Sequence, residues 1–345
     1  MNMKIEKKFL FVQNVCFFFG SLILLLTIGF WSFQCMVKSG EQQLRVPNIY
    51  DKFSSAEMNR SSEINLDGKS YVYEEDNINI LILGIDGRGE AEKNEFYGFG
   101  PRADSIYLAI IKPKSGNIKL LNISRDLVTD IKMFDSLGKD MGNYPMQLGL
   151  QYCNGDGLHG SCELMESAVS NLLNNIPIHG YCALYWSGIE KIHESVGPVA
   201  VNVPQYLADL DFVTFEKSGM TEIDAEQAKI FVQCRDINLV GSDELRRERQ
   251  KEYFEALYIS VKNTIQKKPF VIWKILKKID SYMVTDLSKK EILTLAYWME
   301  LWDNKKVIIK TIPGETVDGI FQDEYIVDKA GMEELFIKLF YEEKY

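Results

Sequence analysis

The chain has 345 residues, with 39 Lys and Arg against 49 Asp and Glu and a formal net charge of −10. With 46% hydrophobic residues, 24 glycines and nine prolines it is neither collagen-like nor disordered, and its length suits one large domain or two small ones. The acidic balance speaks against a general nucleic-acid binder, which carries a basic surface.

From Val15 to Phe33 the sequence contains no charge, and Phe9–Val12 extends the apolar character upstream. About 19 helical residues reach roughly 28 Å, close to the hydrocarbon thickness of a bilayer. Lys4, Lys7 and Lys8 precede the stretch, opposed only by Glu6. The expectation is one transmembrane anchor over 9–36, with residues 1–8 cytoplasmic and the remainder extracellular. Ser32-Phe33-Gln34 is a poor signal-peptidase site, so the anchor is expected to stay uncleaved. The first 36 residues carry three Lys and one Glu, or +2, which leaves −12 on the exported part. Cys153 and Cys162 bracket a loop that a disulfide could close outside the cell. His159, His179 and His193 are widely spread and read as loop or surface residues, not as a metal or hydrolase site.

Residues 37–76 are polar and aperiodic and read as a stalk. Asn79–Ile85 is then a short apolar run suited to a strand buried on both faces. Ser105–Ile111 and Asn117–Ile123, joined by a Lys-Pro-Lys-Ser-Gly turn, suit a hairpin. Ser161 is a candidate cap for a helix reaching about Asn174. Strands are expected at Tyr181–Tyr185 and Val199–Val203, with a short helix over Gly188–Glu194 between them. Asp224 starts another helix, and Asp243 begins a long one ending near Ile265. A short helix opens at Pro269, and the Ser288–Glu291 capping box precedes an amphipathic helix. Val307–Ile312 is a strand candidate and Asp328–Phe340 a last helix. The alternation implies an α/β fold, a central mixed β-sheet covered by helices on both faces, preceded by one N-terminal transmembrane helix. The expected exported domain covers 77–265, with 266–345 an extension packed on it.

Three successive strands meet charged residues at one end: Asp86 and Arg88, then Arg102 and Asp104, then Arg125 and Asp126. Ligands of α/β sheets bind at strand ends, where loops converge. Two carboxylates brought together there repel unless a cation lies between them, and hard oxygen ligands beside Arg suit Mg²⁺ bridging to phosphate. Taken singly, Asp-Gly is a common turn and Arg-x-x-Asp a common surface ion pair. On the long helix, Arg246, Arg249 and Gln250 share a face with Tyr253, Leu257, Ser260 and Thr264. An inward-facing guanidinium needs an anionic partner, either core carboxylates or a phosphate ligand. Arg235 is near enough in sequence to join the cluster.

These segments, in this order from about Asn77 to Lys262, resemble the LytR-CpsA-Psr (LCP) family of membrane-anchored cell-envelope enzymes. The resemblance rests on Gly84-x-Asp86-x-Arg88, Arg102-x-Asp104, Arg125-Asp126 and Asp243-x-x-Arg246-x-x-Arg249-Gln250. Ile178–Tyr181 and Val196-Gly197-x-Val199 match two further stretches of the family pattern. The resemblance implies a phosphotransferase that moves a teichoic acid or capsular polysaccharide from an undecaprenyl-pyrophosphate carrier to peptidoglycan. It implies that Asp86 and Asp104 hold Mg²⁺, and that Arg88, Arg102, Arg125, Arg235, Arg246, Arg249 and Gln250 grip the pyrophosphate. Asp86, Asp104, Arg125 and Arg249 are then the catalytic set, working by charge neutralisation, with Asp86 or Asp104 as proton acceptor. Expected partners are the polyprenyl-linked glycan, peptidoglycan and the membrane, with no nucleic acid.

Four departures stand out. Asn122-Ile-Ser-Arg-Asp126 replaces S-I-P-R-D, and Phe231-Val-Gln-Cys-Arg235 keeps one of two family arginines, with Gln233 in place of the other. Gly197-Pro198 replaces a Gly-Gly, and the family's N-H-A segment is replaced near Asn143–Gln147. A polyprenyl-pyrophosphate phosphatase and a non-catalytic lipid-binding or regulatory membrane protein are the rival readings.

Overall fold

The computed structural model describes residues 31–47, 63–66, 68–209, 215, 217–234, 242–268, 271–301, 308–319 and 323–344. Residues 1–30, and with them most of the expected anchor, lie outside the described residues. Among those described, no helix is long and apolar enough to cross a membrane.

Residues 31–44 form a helix, α1. Strands β1 (Glu63–Leu66) and β2 (Lys69–Tyr73) follow as a hairpin, then β3 (Ile78–Ile85), β4 (Ala103–Lys112) and β5 (Asn117–Ile123). A second hairpin, β6 (Val128–Phe134) and β7 (Asp140–Gln147), leads through a 3₁₀ segment to α2 (His159–Leu172). Next come β8 (Gly180–Tyr185), α3 (Trp186–Val196), β9 (Val199–Val203), α4 (Gln205–Ala208), β10 (Gly219–Ile223), α5 (Ala225–Gln233) and α6 (Ser242–Lys267). The chain ends with α7 (Val271–Ile279), β11 (Met283–Thr285), α8 (Lys289–Leu301), β12 (Ile308–Thr311), β13 (Gly314–Val317), β14 (Glu324–Val327), α9 (Lys329–Phe340) and β15 (Tyr341–Glu343).

The central sheet has the order β11-β8-β3-β4-β5-β12. It is mixed: β8 runs parallel to β3 and β12 parallel to β5, whereas β3–β4 and β4–β5 are antiparallel. Its apolar runs have no polar face because both sides are covered. The two-residue strand period sends Leu81, Leu83 and Ile85 of β3, with Ile106, Leu108 and Ile110 of β4, to one side. There they pack with Met165 and Val169 of α2 and Phe336 and Phe340 of α9. Ile78 and Ile80, with Tyr107, Ala109 and Ile111, face the other side, against Leu44 of α1, Phe254 of α6 and Trp298 of α8.

Several sequence expectations hold. The β4–β5 hairpin forms with Lys112 paired to Asn117. Asp224 and Gln227 close a capping box on α5, and Ser288 and Glu291 exchange side-chain to backbone bonds at the start of α8.

Others are corrected. The segment read as a stalk contains two structured parts. Residues 37–44 end a helix docked on α8, where the Thr294 hydroxyl donates to Val37 O at 2.9 Å, and β1–β2 continue into β15. Helix α2 is capped by Asp156, whose Oδ1 accepts the Leu158 and Ser161 N–H groups, and not by Ser161. Cys153 and Cys162 are both buried and both free thiols, so the disulfide is absent. The Cys153 Sγ–H donates to Leu150 O at 3.1 Å, and burial pushes the Cys162 thiol well above its usual range. His179 and His193 are buried, not at the surface: the Asn79 N–H donates to His179 Nδ1, and His193 Nε2 lies 2.8 Å from the Tyr253 hydroxyl.

Candidate active site

The three charged segments lie at one end of the sheet's strands because β3, β4 and β5 are antiparallel neighbours in it. Between Gly84↔Ser105 and Ile85↔Ala103 the register slips, leaving Asp104 with no partner on β3. A bulge of this kind re-aims a side chain and frees it from the ladder, and it does so here beside Asp86. The Asp86 N–H donates to Arg102 O at 2.8 Å, which fixes the two segments to each other.

Asp86 sits exposed at the rim. Its pKa is nevertheless raised, first by partial desolvation and next by the neighbouring Asp104 carboxylate; the Arg125, Arg88 and Arg102 charges pull the other way. Asp104 is held by the Arg125 guanidinium, whose Nη1 donates to Asp104 Oδ1, while Arg125 Nε lies 3.4 Å from Asp126 Oδ1. Arg125 thus bridges two carboxylates whose side chains are largely buried. Arg246 and Gln250 of α6 close the same narrow crevice from the far side. Gln250 accepts from the Ser105 hydroxyl at 3.4 Å and donates to Val232 O at 3.2 Å, tying α6 to both β4 and α5.

The crevice therefore unites Asp104, Arg125, Arg246 and Gln250, with Asp86, Arg88 and Arg102 at its rim. Arg235 lies outside the described residues. Arg249 goes elsewhere. It is 3% exposed, and its guanidinium donates through Nε to Phe231 O at 2.7 Å, through Nη2 to Cys234 O and through Nη1 to the Tyr206 hydroxyl. Its charge faces the carbonyls ending α5, the negative pole of that helix. Sequence reasoning missed Tyr206 as a partner because it is 43 residues away, and no local pattern signals such a contact.

The residues present suit a divalent cation in a restricted sense. Among the described residues no cluster of three or more His, Cys, Asp or Glu forms. Mg²⁺, however, takes one or two carboxylates and completes its shell with water and phosphate oxygens, and the mutual repulsion that raises Asp86 is what a cation there would relieve.

Gly87 is required by close approach. A Cβ there would lie 2.3 Å from Cδ1 of Tyr185, a buried ring anchored by its hydroxyl to Gly157 O at 3.0 Å. Gly87→Ala is expected to shift Asp86 and lower activity by about 10²-fold, since a misplacement of ~1 Å costs that much. Steady-state kinetics check this, and a variant with wild-type kcat would show that the ring yields.

The fold and the crevice define a mixed-sheet α/β domain with an acid–arginine crevice at its strand ends. The LytR_cpsA_psr family model matches residues 45–340, and the chain belongs to that family. It is 24% identical over 250 residues to the Enterococcus faecalis polyisoprenyl-teichoic acid–peptidoglycan teichoic acid transferase TagU, covering 71% of each chain. The TagU of Bacillus cereus is 27% identical over 270 residues, covering 76% of this chain and 77% of its own. Among solved structures, TagT bound to LI-WTA superposes with a TM-score of 0.57 at 20% identity, over 76% of this chain and 89% of that one. At that identity the likeness is one of fold.

Proposed function

We propose that the protein is a Mg²⁺-dependent phosphotransferase. In this reading it moves a glycopolymer of the teichoic acid or capsular type from a polyprenyl-pyrophosphate carrier to a peptidoglycan hydroxyl. The anchor over 9–36 holds the domain at the outer face of the cell membrane. The carrying observation is the crevice itself, in which Asp104, ion-paired to Arg125, stands with Arg246 at the strand ends and repels Asp86 at the rim. Family membership and the TagU relatives supply the direction of the chemistry.

Asp86 and Asp104 would hold the cation, which when bound neutralises phosphate oxygens. Arg125 and Arg246 present guanidinium groups suited to bidentate binding of the pyrophosphate, with Arg88 and Arg102 as exposed rim charges. Asp104 is committed to Arg125, whereas Asp86 is open at the rim, and Asp86 is therefore the more accessible proton acceptor for the attacking hydroxyl. The hydroxyl oxygen attacks the phosphorus carrying the glycan, and polyprenyl phosphate leaves. With Arg249 structural and Gln233 in place of a family arginine, Arg125 and Arg246 carry a larger share of the charge.

The test is incubation of the full-length chain with a polyprenyl-pyrophosphate-linked glycan and peptidoglycan, followed by mass spectrometry. Expected products are polyprenyl phosphate and glycan-bearing peptidoglycan, with turnover lost in EDTA and restored by Mg²⁺. Arg125→Ala should reduce turnover by about 10²–10³-fold. Release of free phosphorylated glycan into water, with none on peptidoglycan, would establish a phosphatase instead. Persistence of turnover in EDTA would sink the metal assignment.

A further inference from the structure

We propose that the groove between the β6–β7 hairpin and α2 is the subsite for the acceptor, and that it takes an uncharged N-acetylhexosamine chain. The assignment of this chain as acceptor rests on the transferase reading above; the groove's chemistry does not.

The groove is built from two regular faces. Asp130, Lys132 and Phe134 alternate along β6 and so share one side of the strand, while Ile131 between them is fully buried. Opposite, Gly160, Glu163, Ser167 and Asn171 recur at helical spacing and form one stripe of α2. The space between them is about 620 Å³. One end is closed by an apolar wall, the Tyr97 and Phe134 rings, whose centroids are 5.4 Å apart.

The groove is rooted at the crevice. β6 starts at Val128, two residues after Asp126, and the Gly149 N–H, just past the end of β7, donates to Arg125 O at 2.8 Å. Asp130 follows Arg125 by five residues, so chain reach keeps the two within about 17 Å, the length of a short oligosaccharide. A chain lying between hairpin and helix would deliver its end to the reacting phosphate.

The lining selects the ligand. Sugar hydroxyls and acetamides call for carboxylate and amide partners, and pyranose C–H faces call for an apolar wall. Asp130, Asn143 and Asn171 are exposed and make no side-chain bond among the described residues. Four carboxylates, Asp130, Asp140, Asp156 and Glu163, stand against Lys132, whose ammonium lies 2.9 Å from Asp140. A polyanionic chain would be repelled along this length, whereas a neutral glycan meets only hydrogen-bond partners. The groove therefore fits the uncharged acceptor and not a phosphate-bearing donor polymer.

Calorimetric titration of the full-length chain with chitotetraose, an uncharged N-acetylhexosamine oligomer, tests this. Saturable binding is expected, weakened about ten-fold or more by Asp130→Ala with Asn171→Ala. Both positions are exposed, and unchanged binding of inorganic pyrophosphate by the variant shows that fold and crevice persist. No saturable binding of chitotetraose, undiminished binding by the double variant, or displacement of chitotetraose by a glycerol-phosphate polymer would overturn the proposal. Failure of wild-type protein to bind pyrophosphate while chitotetraose still binds would overturn the transferase reading and leave the groove as a glycan site.

Discussion

Asp86→Asn is expected to abolish transfer, lowering kcat by at least ~10²-fold, while leaving the melting temperature at neutral pH no lower than that of the wild type. The two effects separate because of the sign of the Asp86 shift. Its folded pKa is raised above the ordinary 3.8 by desolvation and by Asp104, so the fold favours the protonated form. Across the window from 3.8 up to the folded value, stability falls as pH rises, and above that window the ionised carboxylate is a standing cost. Asparagine removes this cost along with the metal-binding and proton-accepting oxygen. Below pH 3.8, where the wild-type carboxyl is protonated in both states, the two stabilities should converge. Activity near wild type would remove Asp86 from the site. A clear loss of melting temperature at neutral pH would refute the electrostatic account.

Arg249→Ala should behave in the opposite way, losing about 3 kcal/mol or more of stability in denaturant titrations. The side chain is 3% exposed, and its removal leaves the buried Phe231 O and the half-buried Cys234 O and Tyr206 hydroxyl without its guanidinium bonds. It also removes the cation lying 5.6 Å from the Tyr206 ring centroid. Arg249 and Gln250 both bond to the end of α5, so the variant should lose activity through a loosened α5–α6 junction. Tyr206→Phe, which deletes one of the three bonds, should cost about 1 kcal/mol. A denaturation midpoint for Arg249→Ala equal to wild type would restore the guanidinium to the ligand.

The contrast between these two residues marks where sequence reading succeeds. Asp86, Asp104 and Arg125 were legible because each lies at or just past the end of a strand with a continuous apolar run, and β4 and β5 are joined by a short turn. The long helix face of Arg246, Arg249, Gln250 and Tyr253 was legible from its 3.6-residue period. That face nevertheless divides in space. Arg246 and Gln250 line the crevice, whereas Arg249 turns to the end of α5 and Tyr253 joins a core with Phe231 and Val203. The β6–β7 hairpin escaped detection because Asp140–Gln147 has no apolar alternation; it is held by pairing with β6 and by Gln151, which takes the Lys132 N–H at 2.7 Å. The Cys153–Cys162 spacing suggested a bridge, but a turn between the 3₁₀ segment and α2 carries the two thiols into separate packing environments.

The amino-acid sequence by itself determined the α/β class, the helix starts at Asp224 and Ser288, and the acid–arginine motif that marks the family. All of these rest on interactions between residues a few positions apart, or on periodicities that any one segment displays alone. Only the tertiary structure decided which partner each buried charge received. It also decided that Cys153 and Cys162 are buried as separate thiols and that a polar hairpin and a helix enclose a groove beside the site. Those outcomes depend on groups tens of residues apart meeting in a low-dielectric interior, where an unmet charge or hydrogen bond costs several kcal/mol and the whole fold, not the local pattern, chooses what meets it.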